Sequence, residues 1–407
     1  MALLKVETVE NAIKKCQNHI EKYHLSKTEI VSIEHALGRI SSKIVRSYEV
    51  LPNFTRSTVD GYALKSKDSL GASESIPSLL KCVEIIKMGE VAQSNIKSGE
   101  CAYVPTGGML PEGADAVVMI EYTEVFNQDD VLVYRPVSDY ENVLREGEDI
   151  HINQTLMNVG DCFDVQSIGI CAGVGISEVE VYAQLNVAIL STGDEVYPIN
   201  YEISKGQVHD INGTLLSVML KKLKMNVSKT CLIQDNYDEL YHTISNLSQT
   251  MDIIFVSGGS SQGEKDYTVK IFESLGSDCV WSHGLSVKPG KPTILGSHQA
   301  CLLIGLPGHP VSAFAIFNRV FKTALLSAYK QPLKKIKAML DTNVISSQGK
   351  ETIIYCYVYQ DNNDMHAKIV YTKSGLISTL KEANGYLVVP SNLEGYKKGE
   401  CLEVILL

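Results

Sequence analysis

The spacing of hydrophobic and polar positions divides the chain into stretches of different kinds. Residues 6–22 carry apolar residues at helical spacing, which predicts a helix capped by Thr8: Val6, Val9, Ile13, Cys16 and Ile20. Residues 29–44 resemble a short strand and helix that end near Gly38. The N-terminal part is therefore predicted to be helical and extended.

The stretch from about residue 80 to 180 has a different pattern. Short β-rich runs (VVMIEYTEV, VLVYRPV and EVEVYAQ) are interrupted by Gly, Pro and Asp. Such runs predict strands joined by turns, and therefore small β-rich domains.

From about residue 186, strand-like runs alternate with helical ones. The predicted strands are 187–191, 227–233, 252–257 and 301–305, and the predicted helices are 211–224, 236–249, 268–275 and 311–329, the last opened by Pro310. This alternation of apolar strands with helices predicts a mostly parallel sheet covered on both faces. Ligands of such sheets bind at the carboxyl ends of the strands.

The pattern changes once more after about residue 334, where the helical runs stop. Residues 352–359, 367–371 and 385–389 read as strands, with a turn at 360–366. They predict a small C-terminal β domain or barrel.

Composition narrows the possible functions. The chain has 407 residues, of which 44% are hydrophobic and 21% charged, which is typical of a globular protein with two to four domains. Its net charge is −10 and its pI about 5.5. No nucleic-acid partner is expected, because phosphate neutralisation requires a basic face.

The ten cysteines are scattered and form no CxxC pair, so a thiolate zinc site is not expected. Free thiols in a chain of this size favour a reducing compartment. The N-terminus lacks the apolar core of a signal peptide, and apolar runs such as DIIFV and CLLIGL fall short of the roughly 18 residues of a membrane span. The sequence therefore predicts a soluble, cytoplasmic protein with no membrane partner.

Three loops in the first half of the chain contain candidate chemistry. PNFTRSTVDGYA holds Asp60, which could coordinate a metal or orient a water, although a D-G turn is the simpler interpretation. In VPTGGMLPEGAD, Thr106 precedes two glycines whose amides could face an anion or form a tight turn. REGEDI is a charged turn that contains Asp149.

Two acidic segments follow in the α/β region. STGDEV places Asp194 and Glu195 at the carboxyl end of the first predicted strand. Asp210, in HDINGT, stands just before a predicted helix, so it is either a site residue or an N-cap.

The segment VSGGSSQGEKDYT, residues 256–268, nearly matches two known patterns. A P-loop is rejected because Glu264 stands where that motif requires lysine. Gly259 to Gly263 fit G-x-S-x-G, the nucleophile elbow of hydrolases, with Ser261 as the nucleophile. The partners of such a serine would be Asp278 and one of three histidines: His283, His298 or His309.

Two later segments are suited to binding an oxyanion. In VKPGKP, prolines stiffen a turn that carries Lys288 and Lys291. In GLPGHPVSA, Pro310 begins a helix whose free first-turn amides at 311–313 would form an anion site, with the Ser312 hydroxyl as a further donor. On this segment alone, an ordinary helix begun by proline is an equally good interpretation. Acids and lysines at one rim are what a phosphorylated ligand with bound Mg²⁺ requires.

These segments, in this order, resemble one family: RSTVDGYA, PTGGMLPEGADAVV, REGEDI, STGDE, the DIN of HDINGT, SGG-x-S-x-GEKDYT, KPGKP and GLPGHPVSA. It is the molybdopterin molybdenumtransferase family, which includes MoeA and the gephyrin E-domain. The resemblance runs from about residue 5 to the C-terminus. It implies a Mg²⁺-assisted enzyme that inserts molybdate into adenylyl-molybdopterin and releases AMP.

The resemblance also implies an α/β multidomain fold. Its parts would be a helical and extended dimerisation segment (1–50 with 140–180), a β-rich lobe (51–139), a central α/β/α three-layer domain with a mostly parallel sheet (181–332) and a C-terminal β-barrel (333–407). Members of the family are homodimers whose cleft is shared between the α/β domain of one subunit and the β-rich lobe of the other.

Residue roles follow from the resemblance, position by position. The important acids fall on Asp60, Asp149, Glu195, Asp210 and Asp266, and the loop threonine on Thr106. Glu195, Asp210 and Asp266 would hold Mg²⁺ or position the phosphoanhydride, and Asp60 would complete the cleft across the dimer. The remaining residues would bind the oxyanion or shape its loop: Lys288, Lys291, Ser261, Ser312, Pro307 and Pro310.

The chain departs from the family pattern at Ser260, Gln262 and His309, where the family usually has Val, an apolar residue and Asn. These departures leave room for a molybdopterin-binding or scaffold paralogue with weakened insertion activity. The Ser261 hydrolase is the more distant alternative. The family's links suggest two kinds of protein partner, the molybdopterin adenylyltransferase and cofactor-accepting apoenzymes.

Overall fold

The structure is a computed structural model, which describes residues 6–258, 267–276, 278–346 and 348–407. Its helices are α1 (Val9–Tyr23), α2 (Val165–Gly173), α3 (Ile211–Lys222), α4 (Tyr237–Leu247), α5 (Tyr267–Ser274), α6 (Pro310–Ile316) and α7 (Thr323–Ala328). A π-helical segment, Phe317–Lys322, joins α6 to α7. Short 3₁₀ helices lie at Ile33–His35, Ser66–Ser69, Ile120–Tyr122 and Ile377–Glu382.

The strands of the N-terminal half are β1 (Thr28–Ser32), β2 (Val45–Arg46), β3 (Arg56–Ser57), β4 (Gly61–Leu64), β5 (Ser78–Ile85), β6 (Glu100–Val104), β7 (Ala116–Met119), β8 (Thr123–Val125), β9 (Asp130–Val133), β10 (Val143–Leu144), β11 (Thr155–Met157) and β12 (Glu178–Tyr182). β4 to β9 form one six-stranded sheet in the order β7-β4-β6-β5-β9-β8. The other six pair in twos, β1 with β12, β2 with β11 and β3 with β10. The extended segment is thus formed by β1–β3 together with β10–β12, and the β-rich lobe, β4–β9, lies between these two parts in the sequence.

The strands of the C-terminal half are β13 (Asn186–Thr192), β14 (Val196–Tyr197), β15 (Val208–His209), β16 (Asn226–Ile233), β17 (Ile253–Ser257), β18 (Val280–His283), β19 (Val287–Lys288), β20 (Ile294–His298), β21 (Cys301–Leu306), β22 (Lys335–Leu340), β23 (Val344–Ile345), β24 (Glu351–Asp361), β25 (Asp364–Ile369), β26 (Gly385–Val389), β27 (Gly395–Tyr396) and β28 (Cys401–Leu406).

The central sheet has the order β16-β13-β17-β21-β20-β18. Its first four strands are parallel, and β20 runs antiparallel to both of its neighbours, β21 and β18, so the predicted mostly parallel sheet is confirmed. Alternate residues of β13 enter different cores: Val187 and Ile189 pack on one face of the sheet, and Ala188 and Leu190 on the other. This is the pattern of a strand buried on both sides.

Helix α1 packs against the α/β core, where its residues Val9, Ala12, Cys16 and Ile20 are buried. Its cap is the predicted one, since the Thr8 hydroxyl accepts the amide of Asn11 at 3.3 Å. The extended segment has a small core of its own around Phe163 and Cys171. The bounds of the four predicted parts remain predictions.

The C-terminal sheet closes on itself. β24, β25, β22, β28 and β26 pair in sequence, and β26 pairs again with β24. A short strand from the α/β region, β19, adds to β24 in parallel. This pairing joins the barrel to the segment that carries Lys288.

The run Pro310–Ala328 is long and apolar enough to cross a membrane by length and composition alone, but 72% of its most apolar window is buried inside the protein. Such burial is typical of a helix in the core of a folded protein. It forms one wall of the α/β core, through residues such as Phe317 and Phe321.

Candidate functional site

A cleft of about 780 Å³ lies between the α/β region and the barrel. It is lined by Lys288 and Lys291 of the lysine turn and by Ser312 in the first turn of α6. Both lysines are exposed, and Ser312 is buried. The structure therefore brings together three of the residues predicted to contact an oxyanion.

The lysine turn is held on α6 by Gly290. Its φ of +115° is a conformation that favours glycine, and a Cβ atom there would lie 2.4 Å from Cδ1 of Ile316. The Thr293 hydroxyl donates to the carbonyl of Gly290 at 2.7 Å and closes the turn. The two lysines are thus displayed on a backbone that is fixed between α6 and β24.

The barrel supplies the opposite wall of the cleft. Lys350, Lys373 and Ser374 line it, and none of them belongs to a motif identified in the sequence. In the sequence, nothing except charge in a β-rich stretch indicates that these residues belong to a site. They come to lie opposite Lys291 because strands that are distant in sequence pair with each other. No Asp or Glu is among the lining residues that the structure describes.

The acid nearest in sequence to this wall is neutralised. Glu351 accepts two hydrogen bonds from Arg319, from Nε and from Nη2, each at 2.8 Å. Burial lowers the pKa of Arg319, but the paired carboxylate outweighs that effect and the net pKa is raised. The bidentate pair ties the π-helical segment to β24 without leaving a free negative charge.

The start of α6 differs from the prediction that its first-turn amides are free. The amide of Val311 donates to the Ser374 carbonyl at 3.2 Å, and those of Ser312 and Ala313 donate to the His309 carbonyl at 3.0 Å. The prediction of a helix N-terminal amide site was wrong, because the barrel and the N-cap residue occupy these donors. Anion binding at α6 would therefore depend on the Ser312 side chain.

Pro310 begins α6, and Pro307 is buried just after β21. Neither is among the described residues that line the cleft. The ring atom Cδ2 of His309 would lie 3.8 Å from a Cβ placed on Gly375, so His309 faces the barrel loop.

Asn212 connects the carboxyl edge of the sheet to the cleft. Its Nδ2 donates to the Ser257 hydroxyl and to the Gly308 carbonyl, both at 2.8 Å. These bonds join α3, the end of β17 and the loop that leads to α6. In the sequence, Asn212 is distinguished only as part of the segment HDINGT.

Three buried oxygens at this edge have no hydrogen-bond partner in the described structure: Ser191 Oγ, Thr192 Oγ1 and Asn212 Oδ1. Buried polar atoms are nearly always partnered, so a group of three indicates a polar ligand or water. Asp210 lies beside them, since a Cβ on Gly213 would be 2.2 Å from Asp210 Oδ2 and 2.9 Å from Ser191 Oγ. Asp210 is also the N-cap of α3, the alternative role predicted for it, because its Oδ1 accepts the Gly213 amide at 2.8 Å.

Glu195 is exposed beyond the end of β13. Its backbone carbonyl accepts the Val208 amide at 2.9 Å, and this bond holds it beside the segment that leads to Asp210. Asp194 accepts the Asp235 amide at 3.2 Å. Glu195 and Asp210 therefore lie on the same edge of the sheet.

Asp60, Thr106 and Asp149 lie on the side of the β-rich lobe. Asp60 Oδ1 accepts the amide of Thr106 at 2.7 Å, so these two predicted residues are in contact. The Asp149 amide donates to the Leu51 carbonyl at 3.0 Å, next to the loop that carries Asp60. Among the described residues, no hydrogen bond or ion pair joins this group to Glu195 or Asp210.

The predicted metal ligands were Glu195, Asp210 and Asp266. Asp266 and the predicted nucleophile Ser261 lie outside the described residues, as do Ser260 and Gln262. Within residues 6–258, 267–276, 278–346 and 348–407, no three His, Cys, Asp or Glu side chains are grouped as a metal site. The donors present at the edge, two carboxylates and three unpartnered oxygens, are hard ligands that fit Mg²⁺.

Of the histidines proposed for a hydrolase, His298 is committed elsewhere, because its Nδ1 lies 2.8 Å from the Ser248 hydroxyl. It ends β20, which runs antiparallel to β21, and so lies at the opposite edge of the sheet from Ser257. The described residues thus form a cleft lined by lysines beside a set of hard oxygen donors.

Comparison with known families agrees with this architecture. Residues 7–175 match the MoeA N-terminal region (domain I and II). Residues 188–327 match a probable molybdopterin binding domain, and residues 337–407 match the MoeA C-terminal region (domain IV). Together the three matches follow the chain from α1 to the end of the barrel.

Relatives are similar along nearly their whole length. A putative molybdopterin biosynthesis protein of Methanocaldococcus jannaschii is 32% identical over 390 residues, which cover 94% of this chain and 92% of that protein. Molybdopterin molybdenumtransferases of Staphylococcus aureus and Haemophilus influenzae are each 28% identical over 389 residues, with 92% and 93% of this chain covered and 90% and 94% of theirs.

Solved structures of the same kind superpose well. A crystal structure of the MoeA protein of Pyrococcus horikoshii has a TM-score of 0.82 at 32% identity, and 99% of each chain is covered. Another crystal structure of a molybdopterin biosynthesis MoeA protein from Pyrococcus horikoshii gives a TM-score of 0.83 at 27% identity, with 99% of this chain and 100% of the other covered.

Proposed function

This chain belongs to the MoeA family of molybdopterin biosynthesis proteins, and from that premise we propose that it is a molybdopterin molybdenumtransferase. In the proposed reaction, molybdate is transferred into adenylyl-molybdopterin and AMP is released. The observation that carries the proposal is the cleft of about 780 Å³, whose described lining has four lysines and no carboxylate. A doubly charged oxyanion is the ligand that such a lining suits.

Lys288 and Lys291 would contact the oxygens of molybdate or of the substrate phosphate, as point charges on a rigid turn. The Ser312 hydroxyl would donate a hydrogen bond from the floor of the cleft, and Ser261 would add a second donor. Pro307 and Pro310 would fix the loop between β21 and α6. Lys350 and Lys373 would close the site from the barrel, a role that their position in the cleft supports.

The adenylyl phosphoanhydride would lie at the carboxyl edge, where Asn212 links Ser257 to the loop before α6. Glu195, Asp210 and Asp266 would hold Mg²⁺ there, and the Ser191, Thr192 and Asn212 oxygens would bind water or phosphate. When bound, Mg²⁺ would supply charge stabilisation to the phosphoanhydride oxygens. Asp210 would also keep α3 capped, so its removal would alter both the ligand set and the helix.

Asp60, Thr106 and Asp149 would reach the reacting groups from the lobe of a second subunit in a homodimer. The contact between Asp60 and Thr106 supports a common role for these two loops. The product would pass to cofactor-accepting apoenzymes, and the substrate would come from the molybdopterin adenylyltransferase. We place these steps in the cytoplasm.

The experiment is AMP release from adenylyl-molybdopterin at fixed Mg²⁺, with and without molybdate. The transferase should release AMP in response to molybdate and stop when Mg²⁺ is chelated. Lys291→Met should lower the molybdate-dependent rate by about 100-fold, whereas Lys337→Met, at an exposed barrel lysine outside the cleft, should leave it unchanged.

The second candidate is a molybdopterin-binding scaffold on the same fold, which the departures at Ser260, Gln262 and His309 favour. It would bind the nucleotide without molybdate-dependent release. That result would contradict the transferase, and reverting His309 to Asn would then test whether this departure is the cause.

A further inference from the structure

A second cavity, of about 510 Å³, lies at the opposite edge of the central sheet. Leu185 and Met225 line it, and they immediately precede β13 and β16. Its other walls come from the end of α3, from the π-helical segment with α7, and from the last residues of the barrel. The described linings of this cavity and of the oxyanion cleft share no residue, so the two cavities are distinct.

Four lysines face this cavity: Lys222, Lys224, Lys322 and Lys334. Arg39 also lines it, but is paired with Glu29. No Asp or Glu is among the described lining residues, and none of the four lysines has a carboxylate of the described chain within 4 Å. The described side chains that line the cavity therefore carry a surplus of positive charge.

Ordinary structural roles do not account for all four cations. Lys222 ends α3, where a positive charge complements the helix dipole. Lys322 ends the π-helical segment inside a continuous helical run and is only half exposed. Burial lowers the pKa of Lys322, and the neighbouring ammonium groups of Lys222 and Lys334 lower it further. An anion placed among the three would relieve that repulsion.

The remaining walls are aromatic and aliphatic. The rings of Tyr182 and Tyr329 lie with centroids 5.2 Å apart at 60°, and Phe314 and Phe317 line the same space. The volume falls within the range of about 300–1,000 Å³ that is usual for small-molecule sites. Segments with π-helical hydrogen bonding are often found at functional sites.

We propose that this cavity is a binding site for a small aromatic phosphate, whose ring packs on the tyrosine and phenylalanine wall and whose phosphate lies among Lys222, Lys322 and Lys334. A phosphate dianion, rather than a carboxylate, matches three unpaired ammonium groups. The site does not depend on the transferase activity proposed above. It lies at the other edge of the sheet, and a ligand bound there would leave the oxyanion cleft open.

Pyridoxal 5′-phosphate is a suitable probe, because its aldehyde condenses with an unprotonated lysine with loss of water. Borohydride then reduces the imine to a stable amine that peptide mapping can locate. The full-length protein is labelled in parallel with pyridoxal 5′-phosphate and with 5′-deoxypyridoxal, which lacks the phosphate and has no hydroxyl that could close on its own aldehyde. The readout is the ratio of the two labelling extents at Lys322, which cancels the intrinsic reactivity of that lysine.

We expect a ratio of about ten or more in the wild type, since hydrogen bonds to charged groups contribute about that factor. In the double variant Lys222→Met/Lys334→Met the ratio should fall close to one. The matched double variant Lys221→Met/Lys337→Met, which removes two exposed lysines outside the cavity, should keep the wild-type ratio. The peptide with Lys288 and Lys291 is an internal reference, and its labelling should be equal in all three proteins.

A competition experiment on the wild type needs no variant to fold. Phenyl phosphate should protect Lys322 from labelling, and phenol at the same concentration should not. A ratio near one in the wild type, an unchanged ratio in the Lys222/Lys334 variant, or no protection by phenyl phosphate would each overturn the proposal.

Discussion

The two edges of the central sheet satisfy their polar groups in different ways. At the amino edge, the buried carboxylate of Asp252 accepts Lys27 Nζ at 2.5 Å and the Asn186 amide at 2.7 Å, and His24 Nδ1 lies 3.4 Å away. At the carboxyl edge, buried oxygens of Ser191, Thr192 and Asn212 have no partner in the described structure. The Asp252 carboxylate thus finds its hydrogen-bond donors within the protein, whereas the three oxygens at the carboxyl edge do not. At the amino edge, only the ring nitrogens of His24 are buried without a hydrogen-bond partner in the described structure.

This difference separates stability from binding. A carboxylate whose partners are all supplied by the fold contributes to the free energy of unfolding, because removing it leaves those partners unpaired. Unpartnered oxygens contribute little to folding and remain available to a ligand. The amino edge should therefore respond to mutation with a loss of stability, and the carboxyl edge and its adjoining cleft with a loss of activity.

The largest effect is expected in the cleft that continues the carboxyl edge. Replacing Lys288 and Lys291 together by Met should lower molybdate-dependent AMP release by about 100-fold or more, since losing one preorganised charge-stabilising donor typically costs that much. Both side chains are exposed, so the urea midpoint should stay close to that of the wild type. An AMP release rate equal to that of the wild type would show that the lysine turn takes no part in the reaction.

Mutation at the amino edge should instead lower stability and leave AMP release unchanged. Asp252→Asn should lower the free energy of unfolding by about 2 kcal/mol, because the charge-assisted bonds to Lys27 and Asn186 are lost. Urea unfolding measures the change, with Asp364→Asn, at an exposed residue of the barrel, as the control. AMP release per folded molecule should be unaffected, and a large drop would connect this edge to the reaction.

The Asp252 carboxylate should also make the free energy of unfolding depend on pH. Burial raises the pKa of Asp252, but the contacts with His24, Lys27 and the Asn186 amide outweigh it and lower the pKa to about 2. A depressed carboxyl pKa gives stability that is present above the unfolded value near 4 and lost as the pH falls towards about 2. Urea unfolding between pH 5 and pH 2 should show a smaller loss for Asp252→Asn than for the wild type, by about 2 kcal/mol. Equal losses in both proteins would assign the acid sensitivity to other groups.

The smallest effect on stability is expected at the unpartnered oxygens. Thr192→Val removes a buried hydroxyl without a partner, so the free energy of unfolding should stay the same or rise, by up to about 1 kcal/mol. Ser257→Ala is the matched control, since its hydroxyl accepts Asn212 Nδ2 at 2.8 Å, and it should lose about 1 kcal/mol. Thr192→Val should nevertheless weaken binding of the adenylyl nucleotide in a titration. The reverse order of stability would show that the Thr192 hydroxyl has a partner within the protein.

Most elements of the α/β region could be predicted from the sequence because each has a clear local pattern. The predicted strand at 252–257 and helix at 236–249 correspond to β17 and α4 within two residues. The antiparallel strands β18 and β20 were not predicted, since VWSH and ILGSH mix polar residues into short runs. The turn predicted at 360–366 is shorter, because β24 and β25 extend to Asp361 and from Asp364.

The site was predictable where motif and geometry coincide. Lys288, Lys291 and Ser312 come from two segments with prolines that fix the backbone, and they do meet in one cleft. Lys350 and Lys373 could not be found in this way, because strand pairing across the barrel brings them there. The amides of α6 were wrongly predicted to be free, because the residue that occupies the first of them, Ser374, lies more than sixty positions later in the chain.

The central claim is that the cleft between the lysine turn and the barrel binds the oxyanion. The most direct test is anomalous diffraction at the molybdenum edge from crystals soaked in molybdate, for the wild type and for the Lys288→Met/Lys291→Met variant. We predict a peak in the cleft, at a position from which the oxygens of molybdate can accept hydrogen bonds from Lys288, Lys291 and Ser312, and its loss in the variant. A molybdenum peak elsewhere on the protein, or one that persists at the cleft in the variant, would contradict it.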